Sequence, residues 1–246
     1  SFKTHKLPDS TVRALDLLRE KGIKVFIATG RQLQSINNLG TQEFDGYVTL
    51  NGGYCLAGKD KVIYKHNIPS EDIEALIRYQ ENEEAFPCAL VEEDGIYQNY
   101  VDDSVRQLYD MLDFPHPPLR PLRGNGGKEV YQLIAFFSPG HEERIMSVLP
   151  HCEATRWNPL FADVVPRGSS KAVGIDKIIE HYGISLHETM AFGDGGNDMA
   201  MLRHAGIGVA MANGAPETLA AADLTAPSNE EDGVAQILSR WFPPNT

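Results

Sequence analysis

Apolar and polar positions recur along this chain in two periods, and the switches between them mark its elements. Val12, Leu15 and Leu18 fall on one face of a helix that opens at Pro8-Asp9-Ser10-Thr11 and closes at Lys21-Gly22. Residues 23–28 are mostly apolar and β-branched, which predicts a strand of a parallel sheet buried on both faces. That strand delivers Thr29-Gly30-Arg31 at its carboxyl end. Residues 32–39 predict a second helix stopped by Gly40, residues 47–50 a strand ending in Asn51-Gly52-Gly53, and residues 59–65 a hairpin arm. Further on, residues 171–181 predict a helix ended by Tyr182-Gly183. Met190-Ala191-Phe192 then forms an apolar run, followed at once by Gly193-Asp194-Gly195-Gly196-Asn197-Asp198. Met199, Met201 and Leu202 begin a helical pattern that lasts to Ala205-Gly206. A short strand at 207–211, a small helix at 217–222, an extended segment from Leu224 and a helix at 233–241 follow.

Between these stretches the texture differs. Residues 70–80 predict a helix capped by Ser70, with Glu71 and Asp72 in its first turn. Ala89-Leu90-Val91 and Ile96-Tyr97 predict a hairpin about Asp94-Gly95. Residues 101–112 and 142–149 read as helices, 115–127 as a Pro- and Gly-rich loop, and 130–137, 154–157 and 161–165 as strands. Helices with non-parallel strands make an α+β unit, unlike its flanks. The expected architecture is α/β: a doubly wound parallel sheet from residues 1–67 and 166–246, with an α+β cap inserted at 68–165.

The stretch from Met190 to Leu202 carries the strongest chemical signal. A turn at the carboxyl end of a buried strand is where open α/β sheets bind ligands. Its three glycines let an ion or ligand approach the backbone. Asp194 and Asp198 would repel each other in an apolar setting unless a hard cation such as Mg²⁺ neutralised them. Taken alone, Asp198 reads equally well as a helix cap.

Composition narrows the class. An apolar fraction of 42% and a charged fraction of 23% are those of an ordinary globular protein, and a net charge of −12 argues against nucleic-acid binding. Cys55, Cys88 and Cys152 are odd in number and lack CxxC spacing, which predicts free thiols in a reducing compartment and no zinc site. No apolar run is long enough to span a membrane, and the opening SFKTHKLPDST does not read as a signal peptide, so a cytoplasmic location is expected. The first helix of a right-handed βαβ unit should also follow a parallel partner strand. That strand is expected upstream of Ser1.

ATGR at 28–31, Lys171 ahead of a helix, and GDGGND at 193–198 together resemble the haloacid dehalogenase (HAD) superfamily. The Asn51-Gly52 turn and the inserted α+β segment resemble its Cof-type branch with a C2 cap, bacterial hexose-phosphate phosphatases above all. The resemblance spans essentially the whole chain. It implies a strand ending in DxDGT just before Ser1, which would supply an aspartate nucleophile and a second aspartate for acid–base work. It also implies a Mg²⁺-dependent phosphatase working through an aspartyl-phosphate.

Under this resemblance Thr29 and the Gly30 backbone hold the phosphoryl group, and Lys171 neutralises nucleophile and phosphate. Asp194 ligates Mg²⁺, Asp198 supports the metal or Lys171, and Asn197 holds a metal-bound water or a phosphate oxygen. Arg31, Asn51 and Gly52 belong to the phosphate or leaving-group side. The cap would exclude water and select the leaving group. Glu92, Arg156, Trp157 and Asp163 are conceivable sugar contacts there, against core and surface explanations of each. The partner implied is a small phosphorylated substrate, with no nucleic acid, membrane or protein partner indicated. Two alternatives stay open: a flavin or pyridoxal phosphate as substrate, or a non-catalytic phosphosugar-binding protein.

Overall fold

A computed structural model describes residues 6–112, 114–156 and 158–244, with the side chain of Leu112 excepted. The chain divides into two compact units, one running to Lys65 and resuming at Ser170, the other formed by His66–Ser169.

The first unit opens with helix α1 (Asp9–Glu20), which buries Thr11, Leu15 and Leu18 on one face. Strand β1 (Phe26–Ala28) is shorter than the apolar run that predicts it. The reason is Asp45. Its carboxylate accepts the Val25 N–H at 2.8 Å and the Lys24 ammonium at 3.1 Å, so these residues are held by a side chain before the ladder begins. The helix expected at 32–39 reduces to a single 3₁₀ turn, Leu33–Ser35. Ser35, Asn37 and Asn38 are weak helix formers whose short polar side chains compete for backbone groups. Strand β2 (Gly46–Thr49) runs parallel to β1, while β3 (Tyr54–Ala57) and β4 (Lys61–Lys65) add an antiparallel hairpin.

The second unit is a five-stranded antiparallel sheet. In chain order it contains α2 (Ser70–Asn82), β5 (Cys88–Glu92), β6 (Ile96–Gln98), α3 (Asp103–Leu112), β7 (Val130–Ala135), α4 (Glu142–Met146), β8 (Cys152–Thr155) and β9 (Ala162–Pro166), and its strand order is β6-β5-β7-β9-β8. Ile73, Leu76 and Ile77 of α2 and Ile145 of α4 pack on Leu90, Leu133 and Val164. Val105, Leu108 and Tyr109 of α3 form a separate cluster with Phe136 and Phe161. Ser70 is not the expected cap: Pro69 flanks the helix in an extended conformation and no side chain caps it. Asp72 is 2% exposed and accepts the His151 N–H at 3.1 Å and its Nδ1 at 2.9 Å.

The chain returns to the first unit with α5 (Lys171–Tyr182), β10 (Met190–Gly193), α6 (Met199–His204), β11 (Ile207–Met211), α7 (Pro216–Ala220), β12 (Leu224–Ala226) and α8 (Gly233–Trp241). Strands β10, β11 and β12 form a parallel sheet. Among the described residues the parallel strands therefore fall in two groups, with β1 bonded to β2 and β10 bonded to β11. Ala28 of β1 and Ala191 of β10 share a cluster with Met201, Ala205 and Ile175. Among the described residues no helix is long and apolar enough to cross a membrane. All three cysteines are free and buried, and burial pushes the Cys55 and Cys88 thiols up to about 12 and raises Cys152 as well.

Two expectations follow. A Cβ on Gly174 of α5 would lie 2.2 Å from Cγ1 of Val48 in β2. Gly174→Ala should cost about 1–3 kcal/mol in urea unfolding, and adding Val48→Ala should recover part of it. An unchanged midpoint would mean that helix and strand are not in contact. In the second unit, the hydrogen bond and charge of Asp72, with a smaller attraction to Glu71, raise the His151 pKa above 6.5, against desolvation and a smaller repulsion from Arg167. The raised value stabilises the protonated fold, so this contribution is complete below pH 6.5 and fades as pH climbs through the folded-state pKa. A His151→Asn variant should lose that slope in unfolding curves taken across neutral pH, and an identical slope would contradict the pairing.

Candidate active site

Three strand ends and one helix start meet in the first unit. After β1, the Thr29 N–H is bonded to the Val48 carbonyl at 2.8 Å. The Asn51 N–H donates to the Thr29 carbonyl at 3.1 Å, and the Leu50 N–H to that of Arg31 at 3.2 Å. The ends of β1 and β2 are thus laced together. The Thr29 hydroxyl accepts the Arg31 N–H at 3.1 Å, which closes the turn as a strand-end cap does. Arg31 joins this lacing through its backbone; it is exposed.

The turn after β2 is strained. Leu50 and Asn51 sit at φ +51° and +52°, and Gly52 at +92°. For a branched side chain such as Leu50 this costs about 1–3 kcal/mol and persists only where surrounding structure imposes it. Gly52 is buried, and a Cβ there would lie 2.0 Å from the Ser170 carbonyl oxygen. Its place in the structure is thus against the start of α5. Asn51 Oδ1 accepts from Asn197 Nδ2 at 2.9 Å, and Gly30 lies under both amides, since a Cβ there would meet them at 3.0–3.4 Å.

The start of α5 holds the buried charge. Ser170 caps it, accepting the Val173 N–H at 3.3 Å, and Lys171 follows with its side chain 6% exposed. Its ammonium lies 2.6 Å from Asp198 Oδ1. Asp198 Oδ2 accepts the N–H groups of Asp194 and Gly195, each at 2.9 Å. Both oxygens of Asp198 are therefore engaged by Lys171 and the turn itself. Gly193 permits this, because a Cβ there would come within 2.5–2.8 Å of the Asp198 side chain. Asp198 does not cap α6 with its side chain.

Asp194 is half-buried, and its Oδ2 accepts from Asn213 Nδ2 at 2.9 Å. Among the described residues, the grouping of three close His, Cys, Asp or Glu side chains is Glu71, Asp72 and His151 of the second unit. The GDGGND turn thus offers few carboxylates of its own, and its donors are hard oxygens. This suits Mg²⁺, which usually keeps several waters and takes one or two protein carboxylates beside phosphate oxygens. Asn213 escapes notice in the sequence, although Asn-Gly at the carboxyl end of an apolar run repeats the pattern of Asn51-Gly52.

The conceivable sugar contacts of the second unit are engaged within it. Glu92 is 1% exposed and binds the Arg120 guanidinium and, at 2.7 Å, Asn125 Nδ2. Arg156 pairs with Glu142 and donates to the Phe137 carbonyl at 2.8 Å. Asp163 accepts from Gln132 Nε2 at 2.7 Å. Trp157 lies outside the described residues.

Residues 2–238 match the family described as haloacid dehalogenase-like hydrolase. The chain belongs to the HAD-like hydrolases. It is 34% identical to a Bacillus subtilis (strain 168) protein named "Putative phosphatase YkrA", over 93% of this chain and 88% of that one. Among solved structures it resembles the HAD subclass IIB sugar phosphatase BT4131, at 41% identity and a TM-score of 0.84 over 98% and 94% of the two chains. It also resembles the phosphatase BT1666 from Bacteroides thetaiotaomicron, at 36% identity and a TM-score of 0.90 over 98% and 90%. This HAD-like hydrolase is an α/β phosphatase of the Cof-type branch, and the non-catalytic reading is set aside.

The pair at the centre of the site sets an expectation for stability. Asp198→Asn leaves the Lys171 ammonium buried beside a neutral amide and should cost about 3–5 kcal/mol in urea unfolding. A loss under about 1 kcal/mol, the size expected for a surface pair, would show that the charge is solvated.

Proposed function

We propose that this HAD-like phosphatase hydrolyses phosphate monoesters of small metabolites in a Mg²⁺-dependent reaction, with hexose phosphates as the preferred class. The observation that carries the reading is the buried Lys171–Asp198 pair, joined through the 193–198 turn and Asn197 to the laced ends of β1 and β2. A cation fixed in a poorly solvated place, with small and polar groups around it, is suited to an anion whose charge is redistributed during transfer.

In this reading the attacking carboxylate comes from an aspartate upstream of Ser1, forming an aspartyl-phosphate that water cleaves. Lys171 neutralises that carboxylate and a phosphoryl oxygen. Asp198 holds the Lys171 ammonium in place. The Thr29 hydroxyl donates to the phosphoryl group, and the Gly30 N–H donates beside it. Asn51 and Asn197 present amides to the phosphate, and Arg31 reaches the phosphate or the leaving group. Gly52 acts by letting the turn sit against α5. Asp194 would hold Mg²⁺, which when bound supplies charge neutralisation to the phosphate oxygens.

Phosphate release from hexose phosphates, flavin mononucleotide and pyridoxal phosphate, measured with the full-length protein and Mg²⁺, tests the substrate class. Hexose phosphates should give the highest kcat/KM. Asp194→Ala should lower Mg²⁺-dependent turnover by at least about a hundredfold, a loss of roughly 3 kcal/mol of transition-state stabilisation. An undiminished Mg²⁺ response in that variant would remove Asp194 from the metal, and a flavin or pyridoxal preference would replace the sugar assignment.

A further inference from the structure

We infer that Asn213 is a positioning residue for Asp194 and sets the affinity of the site for its divalent cation. The inference rests on the reading of Asp194 as the metal-holding carboxylate. Asn213 stands just beyond β11, at the carboxyl end of the strand next to β10, and belongs to none of the motifs that carry the family resemblance.

Its amide is held at both ends. Nδ2 donates to Asp194 Oδ2 at 2.9 Å, and Oδ1 accepts the Asn229 N–H at 3.1 Å. A backbone N–H can only donate, so the Asn229 contact fixes which end of the amide faces which way. The end toward Asp194 must therefore be the donor. Asn229 is itself fixed, because Ser228 donates its N–H and its hydroxyl to Glu231 Oε2 at 3.1 and 2.6 Å. On the other side of Asn213, the Gly214 N–H bonds the Met211 carbonyl at 2.8 Å. A Cβ on Gly214 would lie 3.0 Å from the Asp194 carbonyl oxygen, so this turn is pressed onto the Asp194 backbone.

Asp194 is thus fixed twice, its N–H by Asp198 Oδ2 and its carboxylate by Asn213. Among the described residues Oδ1 is the oxygen that Asn213 leaves to a ligand. A carboxylate whose rotation is stopped by an outer partner loses less freedom on binding a metal, and deleting such a partner typically costs about 10–100-fold in affinity. The relay from the segment after β12 through Asn213 to Asp194 is a physical route by which that segment tunes the site.

Titration calorimetry of Mg²⁺ into the full-length protein without substrate reads the effect directly. Asn213→Ala should raise the Mg²⁺ Kd by about 10–100-fold. Its melting temperature without metal should stay unchanged, and kcat should recover at saturating Mg²⁺. Asn229→Pro provides a second arm. Ser228 is already extended at ψ 164°, as a residue before proline must be, and Asn229 begins a 3₁₀ turn, so proline fits while removing the N–H that holds Asn213. It should raise Kd in the same direction by a smaller factor, and it decides the matter alone if Asn213→Ala does not fold. Wild-type Kd in both variants, with binding abolished in Asp194→Ala, would overturn the role of Asn213 and leave Asp194 as the ligand. No Mg²⁺ binding by the wild-type protein would overturn both.

Discussion

A buried ammonium must meet a carboxylate, and the site is arranged around that requirement. Lys171 stands at the first position of α5 and its side chain is almost fully enclosed. Leaving it there alone would cost several kcal/mol, so Asp198 is drawn to it. Asp198 in turn uses its second oxygen on two backbone N–H groups of its own turn. One ion pair therefore joins the helix start to the carboxyl end of β10. The preceding residue, Ser170, presses its carbonyl against Gly52 and so also fixes the turn after β2. Positions along the chain that are far apart become one rigid constellation through the first residues of one helix.

Such close approach needs small residues and tolerates strain. Gly52, Gly174 and Gly193 each stand where a Cβ would overlap a neighbour: Ser170, Val48 and Asp198 respectively. Leu50 and Asn51 take left-handed backbone conformations beside them. Strain of this kind is kept where the surrounding contacts over-determine the backbone, and it turns the Asn51 amide toward Asn197 and Gly30.

The second unit uses buried charge differently. Glu92, Arg120 and Asn125 form an internal network, and the Arg120 guanidinium lies 3.7 Å from the Tyr97 ring centre. This fastens the Pro- and Gly-rich segment, which has few apolar side chains with which to hold itself. Residues whose type suggests sugar binding are thereby committed to the unit's own structure, as Asp163 is to Gln132 and Arg156 to Glu142 and Phe137.

Local pattern was enough for much of this. Period and punctuation determined the element types at 207–211 and 233–241 to the residue, the apolar run into GDGGND, the helix beginning at Lys171, and a switch to non-parallel strands in the middle of the chain. It failed where a distant or competing group intervened. Asp45 takes the N–H of Val25 and shortens β1, and short polar side chains dissolve the helix expected after Arg31. Only the tertiary structure decided that Asp198 turns to Lys171, 27 positions away, that Asn51 meets Asn197, 146 positions away, and that Asn213 braces Asp194. The physical reason is range. Periodicity and turn chemistry act over a few residues and are written in the sequence. The partner of a charged or amide group is set by what the fold brings within hydrogen-bonding distance.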